Sequence, residues 1–270
     1  MRIRQVFRRS VSKGEDCTDC PVGSLFGLPL TRLCDGDSLP KPVMAMLQQV
    51  FSKGPFTQGI FRKSANARLV RELRDKLDAG EDLPLDHVPV LVTAALLKEF
   101  LRSLPDPLLG GALYPLWMEA IECPDEQEKL LRIKRRVECN PLLCVPLSVL
   151  DQLPRPNQSL LNHFLCVLVH IARRAPSNLM SASNLGVCVG PSLLWSSPVA
   201  LCSRAVPMLV DLLVTRCELL CGPHVPHLLG DPPERDPTRQ DSGAEESDSL
   251  HCEYFLRHTW KNSSLNSEQI

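Results

Sequence analysis

The chain has 270 residues, of which 44% are apolar, 23% charged and 5% aromatic, and its formal net charge is −1. This near-neutral charge argues against a protein whose overall field attracts nucleic acid or an anionic membrane. The chain contains no run of about 18 apolar residues, so no membrane-spanning helix is expected. The low aromatic content and the abundance of leucine favour packed helices over a β-sandwich.

The twelve cysteines of the chain are interpreted as reduced thiols. No apolar signal segment follows the basic start of the chain, and several cysteines lie within apolar runs, where a free cysteine packs as a small hydrophobic residue. We therefore expect a cytoplasmic protein rather than a disulfide-bonded secreted one. Cys17 and Cys20 form an isolated CxxC motif, and because structural zinc needs about four ligands, no metal site is predicted.

Composition divides the chain into a folded region and two tails. Residues 1–23 are polar and basic and are predicted to form a disordered arm, with a weak contact to acidic lipid or an acidic partner as the alternative. Residues 222–270 begin with several prolines and continue into an acidic, serine-rich stretch, a composition typical of disorder. The folded domain is expected at residues 24–221.

The first two helices of this domain are predicted from the spacing of apolar residues. The segment Val43–Phe51 has apolar residues at a 3.6-residue period, and Gly54 follows as a stop signal. Asn66 is a favourable N-cap for the second helix, which Gly80 closes. Between the two helices, the sequence predicts a loop.

The remaining elements are also predicted to be helical. A third helix is expected from Pro89 to Ser103, because Pro105 prevents it from continuing. Further helices are predicted near residues 111–122, 125–138, 157–174, 181–190 and 198–221. No convincing alternation typical of a β-strand is present. The predicted fold is therefore all-α, a bundle of about eight to nine helices.

Three motifs occur in order along this helical region. They read GIFRKSA at residues 59–65, LLKEFLRSLPDPLL at residues 96–109 and NLGVCVGPSLLW at residues 184–195. Together they resemble the RhoGAP family, whose domains activate Rho-family small GTPases, and they are similar to its T-cell-activation subgroup. The resemblance covers residues 25–221 and implies an all-helical RhoGAP domain.

Arg62 lies in the predicted loop of the first motif. From its spacing alone it would be a solvated loop arginine, but the resemblance implies an arginine finger that enters the nucleotide site of a partner. Arginine suits this role because it is always charged and presents a flat fork of donors. The implied partner is a Rho-family GTPase in its GTP-bound state, to which GTP and Mg²⁺ belong. The chain itself would need no cofactor and would be an activator rather than an enzyme.

Lys98 and Arg102 lie four residues apart and therefore share one face of the third helix. By themselves they are typical of a solvated face. The resemblance implies that they line the GTPase-binding surface, with Arg102 holding backbone carbonyls near Arg62 and Lys98 meeting a group of the GTPase. Such pre-ordering of the loop would lower the entropy lost on docking.

Asn184 and Ser192 belong to the third motif. Asn184 is compatible with a helix cap, whereas the resemblance implies a contact with the GTPase or with the loop of Arg62. Ser192 stands where many family members have asparagine. A serine has a single hydroxyl, whereas the amide of asparagine has both a separate hydrogen-bond donor and a separate acceptor.

This departure keeps a second hypothesis open, a catalytically weak or inactive module that binds a GTPase as an adaptor. A hydrolase or metalloenzyme is excluded because GxSxG, HExxH and P-loop motifs are absent. The motifs do not specify which Rho-family GTPase is preferred, because selectivity resides in many weak contacts.

Overall fold

The computed structural model describes residues 24–36, 38–134, 148–195 and 204–231. In these ranges the chain forms eleven α-helices and no β-strand apart from an isolated bridge between Asp35 and Ser38. The all-α prediction is confirmed. The described helices outnumber the predicted eight to nine because three of them have only four or five residues.

The helices, numbered in chain order, are α1 Leu30–Leu33, α2 Lys41–Lys53, α3 Ala67–Asp78, α4 Val90–Ser103, α5 Tyr114–Glu122, α6 Glu126–Ile133, α7 Arg155–Arg173, α8 Ala175–Asn178, α9 Ala182–Leu193, α10 Ala205–Thr215 and α11 Cys217–Cys221. Short 3₁₀ turns include Gly54–Phe56 after α2 and Val225–His227 after α11. Within the described part of the chain, no helix has the length and apolar character needed to cross a bilayer.

Local signals account for several of these boundaries. The side chain of Asn66 accepts hydrogen bonds from the backbone N–H groups of Arg68 and Leu69 at 3.1 and 3.2 Å, so the predicted N-cap of α3 is confirmed. Helix α4 ends at Ser103, as the prolines that follow require. Helix α6 ends at Ile133 rather than at residue 138, and residues 135–138 lie outside the described ranges.

The prediction of a single helix over residues 198–221 is wrong for the part that the structure describes. The chain forms α10 and α11 instead, and they are separated at Arg216, whose φ is −111°. This break turns the chain so that Cys217, Leu220 and Cys221 are buried. Residues 198–203 lie outside the described residues.

The hydrophobic core is organised around α7. Phe164, Leu165 and Leu168 on this helix are fully buried, and α7 packs against α2, α9 and α10. Helix α4 in turn packs against α2, α3 and α9. Full burial of each such side chain contributes about 1.5–3 kcal/mol relative to exposure. The core therefore fixes α4, α7 and α9 relative to one another, and these three helices surround the site described below.

Helices α9 and α10 approach each other at a pair of glycines. A Cβ atom added at Gly186 would lie only 2.3 Å from the carbonyl oxygen of Pro207 on α10, and one at Gly190 would lie 3.2 Å from a methyl group of Val206. Only glycine fits at residue 186 without moving backbone. The Gly186 position thus serves helix packing.

The described fold continues past Cys221, where the sequence predicts that the domain ends. Val225 is fully buried, and the carbonyl oxygen of Pro226 accepts a hydrogen bond from Nε2 of His170 at 2.8 Å. Residues 222–231 therefore belong to the folded region, because the 3₁₀ turn Val225–His227 packs on α7. The predicted arm at residues 1–23, with its CxxC motif, and the rest of the tail at residues 232–270 lie outside the described residues.

Candidate functional site

Arg62 lies in the loop between α2 and α3, residues 54–66, which we call the Arg62 loop. The backbone N–H groups of Arg62 and Lys63 both donate to the carbonyl oxygen of Gly59, at 2.9 and 2.8 Å. Gly59 has φ +68°, and a Cβ atom there would lie 2.9 Å from Cγ of Lys63. The loop therefore closes into a tight turn that requires glycine at residue 59.

Phe61 anchors this turn in the core. It has φ +65°, a left-handed conformation that is uncommon for a residue other than glycine. Its side chain is only 2% exposed and packs edge-to-face on Phe164 of α7, with ring centroids 5.8 Å apart. The next residue, Arg62, is exposed. The turn thus buries one side chain and presents the following cation to solvent.

Lys98 of α4 holds the same turn through its backbone. Its Nζ donates a hydrogen bond to the carbonyl oxygen of Phe61 at 2.7 Å. A bond from a charged donor is stronger than one between neutral groups. The resemblance to the RhoGAP family implies that Arg102 holds carbonyls near Arg62 and that Lys98 faces the partner. In the structure of the domain without a partner, Lys98 rather than Arg102 binds a carbonyl of the loop, that of Phe61.

Arg102, one turn further along α4, contacts α9. Its guanidinium donates a hydrogen bond to Oγ of Ser192 at 3.2 Å. Although the residue as a whole is exposed, partial burial of its guanidinium lowers the pKa of Arg102, an effect that Glu99 partly offsets. An arginine remains charged despite such a shift. Arg102 therefore joins α4 to α9 and keeps a cation at the surface.

Ser192 itself is only 1% exposed. The expected direct contact of Ser192 with a GTPase is therefore not available in this structure. Its hydroxyl accepts the hydrogen bond from the exposed Arg102.

Asn184 lies exposed in the first turn of α9. Its backbone N–H donates to the Oγ of the N-cap residue Ser181 at 3.2 Å, and its side-chain Nδ2 donates to the carbonyl oxygen of Leu179 at 3.2 Å. Leu179 has φ +60°, so Asn184 supports an unusual left-handed turn. The exposed side chain is next to the site but is bonded to the α8–α9 turn rather than to the Arg62 loop.

Asn178, the last residue of α8, is a residue of this site that is not predicted from the sequence. This residue is fully buried, and its Nδ2 donates to the carbonyl oxygens of Pro55 and Ile171 at 3.0 and 2.8 Å. Its own carbonyl oxygen accepts a hydrogen bond from the backbone N–H of Gly59 at 2.9 Å. A four-residue helix has no apolar period, and the only sequence signal is a polar residue directly before two apolar ones.

The arrangement offers a cation on a rigid turn. Arg62, Lys63 and Arg68 are all exposed, and Leu179 and Val187 provide exposed apolar surface near Asn184. In the part of the chain that the structure describes, no group of three or more His, Cys, Asp or Glu side chains is arranged to hold a metal ion. Chemically, the site is suited to meet negative charge on another molecule.

Comparison with known protein families shows to which family the chain belongs. The RhoGAP domain model matches residues 40–198. The chain belongs to the RhoGAP family. It is 37% identical over 226 residues to human Rho GTPase-activating protein 20, a match that spans 82% of this chain and 18% of that protein. It is 36% identical over 212 residues to human T-cell activation Rho GTPase-activating protein, spanning 75% of this chain and 27% of that protein.

The resemblance to the RhoGAP family and its T-cell-activation subgroup is thus confirmed, and Rho GTPase-activating protein 20 is similar to the same degree. This RhoGAP chain spans less than a third of the length of either relative.

Solved structures support the same fold. The crystal structure of human Rho GTPase activating protein 15 matches with a TM-score of 0.62 and 25% identity, covering 72% of this chain and 90% of that one. The BH domain from Graf, described as the GTPase regulator associated with focal adhesion kinase, matches with a TM-score of 0.56 and 19% identity. The second likeness concerns the fold alone.

Proposed function

We propose that this RhoGAP domain accelerates GTP hydrolysis by a Rho-family GTPase in its GTP-bound state, with Arg62 as the arginine finger. The observation that carries the proposal is the position of Arg62. The residue is exposed on a tight turn whose preceding side chain, Phe61, is buried and whose backbone is held by Lys98. A cation presented in this way needs little reordering when a partner docks.

The charge that develops during GTP hydrolysis explains how a single arginine side chain can accelerate the reaction. During GTP hydrolysis negative charge spreads over the transferred phosphoryl group, and an arginine supplied in trans accelerates the reaction by about 10³–10⁵. This corresponds to about 4–7 kcal/mol of the barrier. GTP and Mg²⁺ belong to the GTPase, and the RhoGAP domain contributes the cation. In this proposal the domain is an activator and has no hydrolytic site of its own.

The docking surface in this proposal extends from Arg62 to α4 and α9. Lys98 orders the Arg62 loop, Arg102 supplies a surface cation supported by Ser192, and Asn184 offers an exposed amide. We place this activity in the cytoplasm, where GTP-bound small GTPases are available. None of the six described cysteines forms a disulfide, which is consistent with a reducing compartment.

Single-turnover hydrolysis tests the proposal. Purified Rho-family GTPases, with at least one of the Rho class and one of the Rac class, are loaded with GTP and mixed with the wild-type domain or with Arg62→Ala. The matched control is Arg68→Ala, which removes another exposed arginine near the same loop. We expect Arg62→Ala to lose about 10³-fold or more of the acceleration, whereas Arg68→Ala retains most of it.

Binding to the GTPase separates catalysis from docking. Affinity is measured with the GTPase bound to GDP and aluminium fluoride, which imitates the transition state, and with a non-hydrolysable GTP analogue. If the wild-type domain binds but accelerates none of the GTPases, the adaptor hypothesis replaces the activator. If Arg62→Ala accelerates as well as the wild type, the finger assignment is wrong.

A further inference from the structure

We infer that Asn178 is a positioning residue for Arg62, acting as a clamp on the N-terminal part of the Arg62 loop. This inference rests on the proposed function, because the clamp matters for activation only if Arg62 acts on the GTPase. The group concerned is a fully buried amide on α8, so a docking partner would not reach it. Its effect would reach the reaction only through the loop backbone.

The contacts of Asn178 join three parts of the chain. The side-chain Nδ2 donates to Pro55 at 3.0 Å and to Ile171 at 2.8 Å, in both cases to the carbonyl oxygen. The side-chain oxygen accepts from the backbone N–H of Met180 at 2.8 Å. One amide thus links the start of the Arg62 loop to the end of α7 and to the turn before α9.

The backbone of Asn178 extends the clamp to the turn that carries Arg62. Its carbonyl oxygen accepts from the N–H of Gly59 at 2.9 Å. The carbonyl of Gly59 in turn accepts from the N–H groups of Arg62 and Lys63. A continuous chain of backbone hydrogen bonds therefore runs from α8 to the finger residue.

Burial makes this clamp specific to asparagine. The residue is fully buried, so water cannot replace a lost bond without reorganisation. The site needs two donated N–H bonds and one accepting oxygen on the same side chain, a combination that the amide of asparagine supplies. An aliphatic residue of similar size would leave buried carbonyl oxygens without this donor.

A second contact ties α8 to the loop. The guanidinium of Arg174, which directly precedes α8, lies over the ring of Phe56 with 4.3 Å to the centroid. Phe56 belongs to the 3₁₀ turn that begins the loop. On the far side of α8, Asn184 donates to the carbonyl of Leu179. Contacts on both sides of α8, at Arg174 before it and at Leu179 after it, therefore hold Asn178 in position.

Lys98 and Asn178 hold different parts of the Arg62 loop. Asn178 fixes Pro55 and Gly59, and Lys98 fixes the carbonyl of Phe61. These hydrogen bonds limit the backbone conformations open to Arg62, so less entropy is lost when its side chain enters the nucleotide site. Loss of Asn178 should consequently lower the activated rate more than the affinity of initial docking.

The test compares Asn178→Ala and Asn178→Asp with a matched control, Thr93→Val. Aspartate keeps the shape and the oxygen that accepts from Met180 but removes the donor to Pro55 and Ile171. Thr93 is also fully buried, and its hydroxyl donates to Oε1 of Gln49, so the valine variant removes a buried hydrogen bond away from the loop. Thr93→Val therefore reports the effect of general destabilisation.

Three measurements are made on each variant. Amide hydrogen exchange, followed by mass spectrometry of peptides covering residues 55–63, reports the order of the loop without any GTPase. Single-turnover hydrolysis as a function of domain concentration separates the maximal rate from the half-saturating concentration. Unfolding by denaturant ranks the variants by stability.

We expect both Asn178 variants to exchange the loop amides about tenfold faster and to lose about tenfold in maximal rate, with the half-saturating concentration changed by less than about threefold. Thr93→Val should show neither effect at comparable stability. The inference is overturned if a folded Asn178 variant matches Thr93→Val in loop exchange or in maximal rate. Should Asn178→Ala fail to fold, the same criteria apply to Asn178→Asp.

The exchange measurement also separates this inference from the proposed function. If the wild-type domain accelerates no GTPase, the proposed function fails, and with it the role of Asn178 in activation. Faster loop exchange in the Asn178 variants would then still identify a structural clamp. If the wild type is active but the variants exchange normally, the clamp is wrong and the finger assignment is unaffected.

Discussion

Replacing Lys98 with methionine would remove the ammonium group that binds the carbonyl of Phe61 and keep most of the aliphatic stem. This bond, 2.7 Å long, involves a charged donor and a half-buried lysine. Hydrogen bonds to charged groups contribute about 1.5–3 kcal/mol. The left-handed conformation of Phe61, with φ +65°, costs about 1–2 kcal/mol for a residue with a Cβ atom. The two quantities are comparable, so the lysine offsets the strain of the turn.

Without Lys98, the turn should therefore populate other backbone conformations in which Arg62 is misplaced. We expect Lys98→Met to reduce the maximal GTPase acceleration by about 10- to 100-fold, the factor that 1.5–3 kcal/mol represents. The stability of the domain should fall by about 1–3 kcal/mol, because the freed carbonyl lies in a partly buried position.

The assay is single-turnover GTP hydrolysis at saturating domain, together with denaturant unfolding. Lys63→Met is the matched control, because Lys63 is an exposed lysine of the same loop. Its acceleration should stay within about threefold of the wild type, as expected for a surface position. A Lys98→Met variant that keeps full acceleration would refute the reasoning, since the turn would then hold its conformation without the lysine.

Three further perturbations test separate parts of the structure. Gly186→Ala should destabilise the domain by about 3 kcal/mol or more in denaturant unfolding, because its Cβ would lie 2.3 Å from the Pro207 carbonyl oxygen; a loss below about 1 kcal/mol would contradict the close approach. Ser192→Ala should weaken GTPase activation by about threefold through Arg102, and an unchanged rate would show that their hydrogen bond has no functional effect. Burial lowers the pKa of His170 from its usual 6.5, although its backbone partner offsets part of the effect. The unfolded chain then takes up the proton more readily, so stability should fall as pH drops below about 6.5, and unfolding of His170→Gln should depend less on pH over that range.

The helices that could be predicted are those with local signals. Asn66 caps α3 because its side chain bonds to backbone groups two and three residues away, which the sequence alone encodes. The end of α4 follows from the prolines after it. The break at Arg216 could not be predicted, because no glycine or proline marks it. Packing of Cys217 and its neighbours against α7 imposes it.

In the candidate site, too, some features follow from local sequence signals and others only from packing. The motif around Arg62 marks the turn, and the four-residue spacing of Lys98 and Arg102 places both on one face of α4. Their spacing cannot say which of them reaches the loop, because that depends on how α4 packs against α9. The roles of these residues toward a GTPase stay predictions.

By itself, the sequence determined the helical class, the order of the main helices and the family, because apolar periodicity, capping residues and three motifs are local properties of the chain. Tertiary structure decided which side chain holds which backbone group. Lys98 meets Phe61, Arg102 meets the buried Ser192, and Asn178 reaches Pro55, a residue 123 positions away. Such contacts join segments that only the packing of the core brings together, and no local pattern encodes their distances.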